Sequence, residues 1–134
     1  MKALDYRYFD TRFAAMAHRG GFRSDADRAR ENSLHAFTRA VERGYRYLET
    51  DVQVSSDGVL FAFHDSTLDR VTDASGVPEQ LPWSMLSQVR IAGIDPLPRF
   101  DELLEALPGP IQHRPEGAPG GRVAGPGPRC APGP

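Results

Sequence analysis

The chain has 134 residues, a formal net charge of −2, a pI near 6.1 and one cysteine, Cys130. That length suits one ordinary domain, and the near-neutral charge excludes the basic footprint of a nucleic-acid or anionic-membrane binder. One cysteine excludes a disulfide framework, and neither an apolar N-terminal signal nor a membrane span of roughly 18 apolar residues is visible, so a cytoplasmic protein is expected.

Phe13 to Ala17 is a short apolar run ending at His18 and predicts a buried strand. Residues 22–30 carry Arg23, Asp25, Asp27, Arg28 and Arg30 and predict a polar loop. Asn32 or Ser33 then caps a helix in which Leu34, Phe37, Ala40 and Val41 form one apolar stripe, and Gly44 ends it. Residues 45–54 predict a second strand, Ser56-Asp57-Gly58 a turn, and Val59 to Phe63 a third strand ending at His64. Pro82 and Trp83 lead into a short helix with Met85, Leu86 and Val89. Phe100 to Leu107 predicts a last amphipathic helix through Phe100, Leu103, Leu104 and Leu107.

From Ile111 to Pro134, half of the 24 residues are Pro or Gly, with Glu116 the one acid. Such a segment cannot bury enough apolar surface to offset its ordering entropy. The expected organisation is an α/β domain over residues 1–110, with three parallel strands, and a disordered tail over 111–134.

Polar groups with chemistry gather at the ends of the apolar runs. Glu49 and Asp51 stand two apart on a strand, so both carboxylates share a face with Cα atoms roughly 6.5–7 Å apart. Mg²⁺ or Ca²⁺ accepts such oxygen ligands; the same pair also suits salt bridges with the many arginines. His18 and His64 each follow a strand and can act as general base and general acid, or serve as satisfied structural side chains. Arg19 adjoins His18, and Gly20-Gly21 allow close backbone approach, which fits a phosphate grip or an ordinary loop arginine. Asp65 could fix the tautomer of His64 or be a surface acid. His35 and His113 have no such context.

In order, His18-Arg19-Gly20, Glu31-Asn32-Ser33, Leu48-Glu49-Thr50-Asp51-Val52-Gln53, His64-Asp65, Leu68-Asp69-Arg70 and Leu97-Pro98-Arg99-Phe100-Asp101-Glu102 resemble the glycerophosphodiester phosphodiesterase family. The resemblance covers residues 13–107. It implies a (β/α)₈ TIM barrel that hydrolyses small glycerophosphodiesters to glycerol 3-phosphate and an alcohol, a step of lipid metabolism. By the same resemblance His18 and His64 would be the acid/base pair, Glu49 and Asp51 would hold Mg²⁺ or Ca²⁺, and Arg19 would contact phosphate. Arg30 stands where the family usually has proline. The family continues into a further strand with a third acidic ligand where this chain enters its Pro/Gly segment, so a truncated or frameshifted member is expected. The alternative function is a catalytically impaired fragment that binds metal or phosphate weakly.

Overall fold

Met16–His18 (β1) and Tyr47–Val54 (β2) lie side by side in parallel, with Met16 opposite Tyr47 and His18 opposite Glu49. The computed structural model describes residues 15–108 in full and residues 111–115 as backbone; Phe13, Ala14 and residues 116–134 lie outside the described residues.

Between β1 and β2 the chain forms a one-turn helix, α1 (Asp25–Arg28), within the stretch expected as loop, and then α2 (Leu34–Glu42). Ser24 caps α1, and Ser33 caps α2 by accepting a hydrogen bond from the Ala36 amide at 3.1 Å. Asn32, the other candidate cap, instead takes a left-handed backbone (φ 58°) one residue earlier. Ala36, Phe37 and Ala40 turn inward from α2, while Leu34 stays exposed.

Leu60–Ala62 (β3) is antiparallel to β2, with Val52 opposite Ala62 and Val54 opposite Leu60. This corrects the expectation of three successive parallel strands. Ser56-Asp57-Gly58 can only close a hairpin, because a parallel return needs a crossover of about a dozen residues or more. After β3 comes an excursion with a 3₁₀ turn (Pro78–Gln80), α3 (Trp83–Leu86) and a small antiparallel pair, β4 (Arg90–Ile91) and β5 (Asp95–Pro96). Then α4 (Phe100–Ala106) runs back over the sheet.

The third parallel strand is Ile111–Pro115 (β6), paired with β2 from Leu48 opposite Ile111 to Val52 opposite Pro115. Residues 111–115 thus form a strand within the segment expected as a disordered tail. β6 takes the edge of β2 left open by β1, where the pairing is made by the backbone. Pro115 falls at the strand's last position, where the absent N–H costs least. The order β1–α2–β2–α4–β6 gives parallel strands joined by helices, the repeating unit of a (β/α)₈ barrel.

Two apolar clusters support this frame. Ala17, Phe37, Ala40, Leu48, Ala62, Leu103 and Leu107 pack α2 and α4 against the sheet. Phe61, Phe63, Leu68, Val71, Leu86, Val89, Ile91 and Leu97 form the core of the excursion, with the rings of Phe61 and Trp83 5.9 Å apart. Among the described residues no helix is long and apolar enough to cross a membrane.

Candidate active site

One face of β2 organises the site. Side chains alternate across a strand, so Glu49, Asp51 and Gln53 point one way while Leu48, Thr50 and Val52 point the other. Glu49 meets the end of β1: its Oε2 lies 3.8 Å from His18 Nε2 and accepts a hydrogen bond from the Arg19 amide at 3.3 Å. Most of the His18 side chain (64%) remains open to solvent, as a proton-transfer group requires.

Asp51 and Glu31 flank the Arg19 guanidinium. Nε lies 3.3 Å from Asp51 Oδ2, and Nη1 donates to Glu31 Oε1 at 3.1 Å. Asn32 completes this corner: its Nδ2 donates to Asp51 Oδ2 at 3.4 Å, its Oδ1 accepts from Thr50 Oγ1 at 2.8 Å, and its amide donates to the Arg19 carbonyl at 2.9 Å. Arg19 (φ 53°), like Asn32, has a left-handed backbone, which costs a non-glycine residue on the order of 1 kcal/mol and persists only where surroundings enforce it. Gly20 shows what enforces it here. With φ 88° its own Cβ would stand 2.6 Å from the Ala36 Cβ, so the turn lies directly on α2.

The third residue on the β2 face reaches the other histidine. Gln53 Nε2 donates to the carbonyl oxygens of His64 and Asp65 at 3.2 and 2.8 Å. His64 Nδ1 is 2.7 Å from Asp65 Oδ1. Arg70 grips Asp65 with Nε and with Nη2, the latter at 2.9 Å, and also donates to both Glu31 oxygens, at 2.6 and 3.3 Å. Chiefly through Arg70, with His64 adding to it, the Asp65 carboxyl is held down to about 2, and the two carboxylates raise the Arg70 guanidinium further above its ordinary value.

The predicted residues thus form two corners, His18 with Glu49 and Arg19 with Asp51, while His64 belongs to a third group built on Asp65. Glu31 joins them by accepting from both Arg19 and Arg70. Sequence reading gave Glu31, Arg70 and Gln53 no role. Only Gln53 carried a positional signal, as the next same-face residue after Glu49 and Asp51. Glu31 and Arg70 are 39 positions apart, and no local period reports such a pair.

Four carboxylates (Glu31, Glu49, Asp51 and Asp65) meet two guanidiniums (Arg19 and Arg70), so with neutral histidines the cluster carries two excess negative charges. A divalent cation matches that excess, and hard oxygen donors suit Mg²⁺ or Ca²⁺. Arg19 Nε is buried and makes no hydrogen bond among the described residues, although it stands 3.3 Å from Asp51 Oδ2 as an ion pair. Ligand atoms of Glu31, His64 and Asp65 also converge within 4.8 Å, but the Arg70 hydrogen bonds already occupy those two carboxylates. Glu49 and Asp51 are the second pair of oxygen donors in the same cluster.

Parallel strands joined by helices, with acids and histidines gathered where β1 meets β2, are those of part of a (β/α)₈ barrel with a charged rim. Residues 18–115 match the glycerophosphoryl diester phosphodiesterase family, and the chain belongs to it. It is 39% identical over 94 residues to a protein of Mycobacterium tuberculosis named probable glycerophosphodiester phosphodiesterase 2, covering 70% of this chain and 34% of that protein. The glycerophosphodiester phosphodiesterase structure from Agrobacterium tumefaciens superimposes with a TM-score of 0.67 at 32% identity, over 76% of this chain and 46% of that one. An Oleispira antarctica phosphodiesterase in complex with the product sn-glycerol-3-phosphate gives a TM-score of 0.64 at 26% identity, over 76% and 44% of the two chains. The chain therefore spans about a third of the length of the Mycobacterium relative.

Proposed function

We propose that this chain carries the acid/base and cation-binding part of a phosphoric diester hydrolase that releases glycerol 3-phosphate from small glycerophosphodiesters. The observation that supports it is the meeting of His18, Glu49, Arg19 and Asp51 at the junction of β1 and β2, in a chain of this family. Glu49 and Asp51 would hold Mg²⁺ or Ca²⁺, which when bound supplies electrostatic stabilisation of charge developing on the phosphoryl oxygens.

His18 and His64 are the proton-transfer pair. One removes the proton from the attacking glycerol hydroxyl, and the other protonates the departing alkoxide; water then opens the cyclic phosphate with the roles exchanged. Glu49 Oε2 lies 3.8 Å from His18 Nε2, so the two side chains meet at the junction of β1 and β2. Arg19 is the phosphate contact, oriented by Glu31 and Asp51, which hold its planar fork in place. Turnover of deacylated phospholipid in the cytoplasm is the setting that belongs to this reading.

The test is glycerol 3-phosphate release from glycerophosphocholine by the purified chain, with and without Mg²⁺. The expected result is cation-dependent turnover that falls about 10²- to 10⁴-fold in His18→Ala. A cooperatively folded chain with no turnover in either condition would favour the alternative, a fragment that binds metal or phosphate without catalysis.

A further inference from the structure

His64 is held at both levels of its structure: its carbonyl by Gln53 and its ring by Asp65, whose second oxygen is taken by Arg70. Arg70 does not end there. The same guanidinium donates to both oxygens of Glu31, 39 residues earlier, and Glu31 accepts in turn from Arg19. The half-exposed Arg70 side chain would ordinarily be free to wander; two bidentate engagements remove that freedom.

We propose that Arg70 is a positioning residue for His64: it fixes Asp65 against Nδ1 of the ring, and it suspends that pair from Glu31, so that His64 is indexed to Arg19. The assignment rests on the hydrolase reading above for its purpose, but its geometry stands without it. A carboxylate accepts only, so Nδ1 of the neutral ring carries the proton and Nε2 is its acceptor nitrogen. Unconstrained imidazole prefers the opposite tautomer, so the Asp65–Arg70 pair selects a state that the ring alone would not favour. Lysine at position 70 supplies one point charge in place of a planar fork and cannot engage both oxygens of Asp65 and of Glu31 together.

The experiment is ¹⁵N-resolved NMR of the histidine rings in the full chain at a pH where His64 is neutral, without added metal. It compares wild type with Asp65→Ala, Arg70→Gln and Arg70→Lys, with cooperative thermal unfolding recorded for each. Wild-type His64 is expected to carry its proton on Nδ1. Asp65→Ala should move the proton to Nε2, Arg70→Gln should give a mixture, and Arg70→Lys should recover part of the Nδ1–H population. A merely structural Arg70 would lower the melting temperature and leave the tautomer unchanged. If Arg70→Gln does not unfold cooperatively, Arg70→Lys carries the comparison. An Nε2–H ring in wild type, or an unchanged tautomer in whichever Arg70 variant is folded, overturns the proposal. The NMR result does not depend on turnover, so an inactive chain with the expected tautomers would fail the hydrolase reading alone. Where turnover is present, Arg70→Gln is expected to lower kcat at least tenfold with KM changed less than threefold.

Discussion

Gln53 Nε2 stands 2.8 Å from the carbonyl oxygen of Asp65, and the same amide reaches the carbonyl of His64 at 3.2 Å. A residue on the central strand thereby fixes two consecutive peptides of a loop that begins after the next strand. Gln53→Leu keeps most of the volume and removes the clamp. Leaving part-buried carbonyls without a donor costs about 1–3 kcal/mol, which lowers the melting temperature by roughly 4–8 °C per kcal/mol for a domain of this size. Circular dichroism melts of the two chains decide it, and equal melting temperatures would show that the clamp contributes nothing.

Gly20 and Gly44 have nearly the same backbone, φ 88° and 86°, yet a Cβ at Gly20 would lie 2.6 Å from the Ala36 Cβ and one at Gly44 would meet nothing within 4 Å. Alanine at either position bears the left-handed strain of about 1 kcal/mol. Only Gly20→Ala adds a steric conflict with α2. It is expected to destabilise by about 1–3 kcal/mol more than Gly44→Ala in urea titrations, and equal losses would contradict the close packing of the turn on the helix.

Asp65 has a carboxyl lowered to about 2 from an ordinary 3.8, chiefly by Arg70. A depressed carboxyl stabilises the fold above its unfolded value and loses that contribution as pH falls through its folded value. The Asp65 contribution is therefore complete above about pH 4 and is lost between about pH 4 and pH 2, on the order of 1 kcal/mol after solvent screening around the half-exposed Arg70. Asp65→Asn is expected to flatten the acid limb of stability against pH in that window and to leave the slope above pH 5 unchanged.

The two excess negative charges of the cluster predict stabilisation by a divalent cation. Saturating Mg²⁺ or Ca²⁺ should raise the melting temperature, since a ligand at 100 times its Kd adds about 2.7 kcal/mol. Glu49→Gln with Asp51→Asn should abolish the increment, while monovalent salt at equal ionic strength should not reproduce it. A cation response that survives the double substitution would move the site to Glu31 and Asp65.

Much of the frame was legible because it rests on local chemistry. A cap at Asn32 or Ser33, Gly44 as a stop and the shared face of Glu49 and Asp51 follow from side-chain hydrogen bonding, backbone freedom and a period of two. The direction of β3 was legible in principle from its five-residue connection, but the apolar run ending at His64 looked like another barrel strand. β6 was not legible, because a strand in a Pro/Gly-rich segment is selected by the open edge of β2 and not by its own residues. The polar links were hidden for a related reason. Arg30 makes a bidentate pair with Asp95 at 2.6 and 2.7 Å, and that partner lies 65 residues away.

His18 follows Ala17, which belongs to the apolar cluster under α2 and α4; His64 follows Phe63, which belongs to the cluster of the excursion. The two imidazoles are therefore mounted on separate apolar clusters, and the seam between them is crossed by Glu31–Arg70, Gln53–Asp65 and Arg30–Asp95. Native-state hydrogen exchange should resolve this as two opening free energies. With a one-turn helix and two-residue strands, the excursion is expected to open at the lower one and to carry His64 away while β1, α2 and β2 stay protected, so that the constellation dissolves before the fold does.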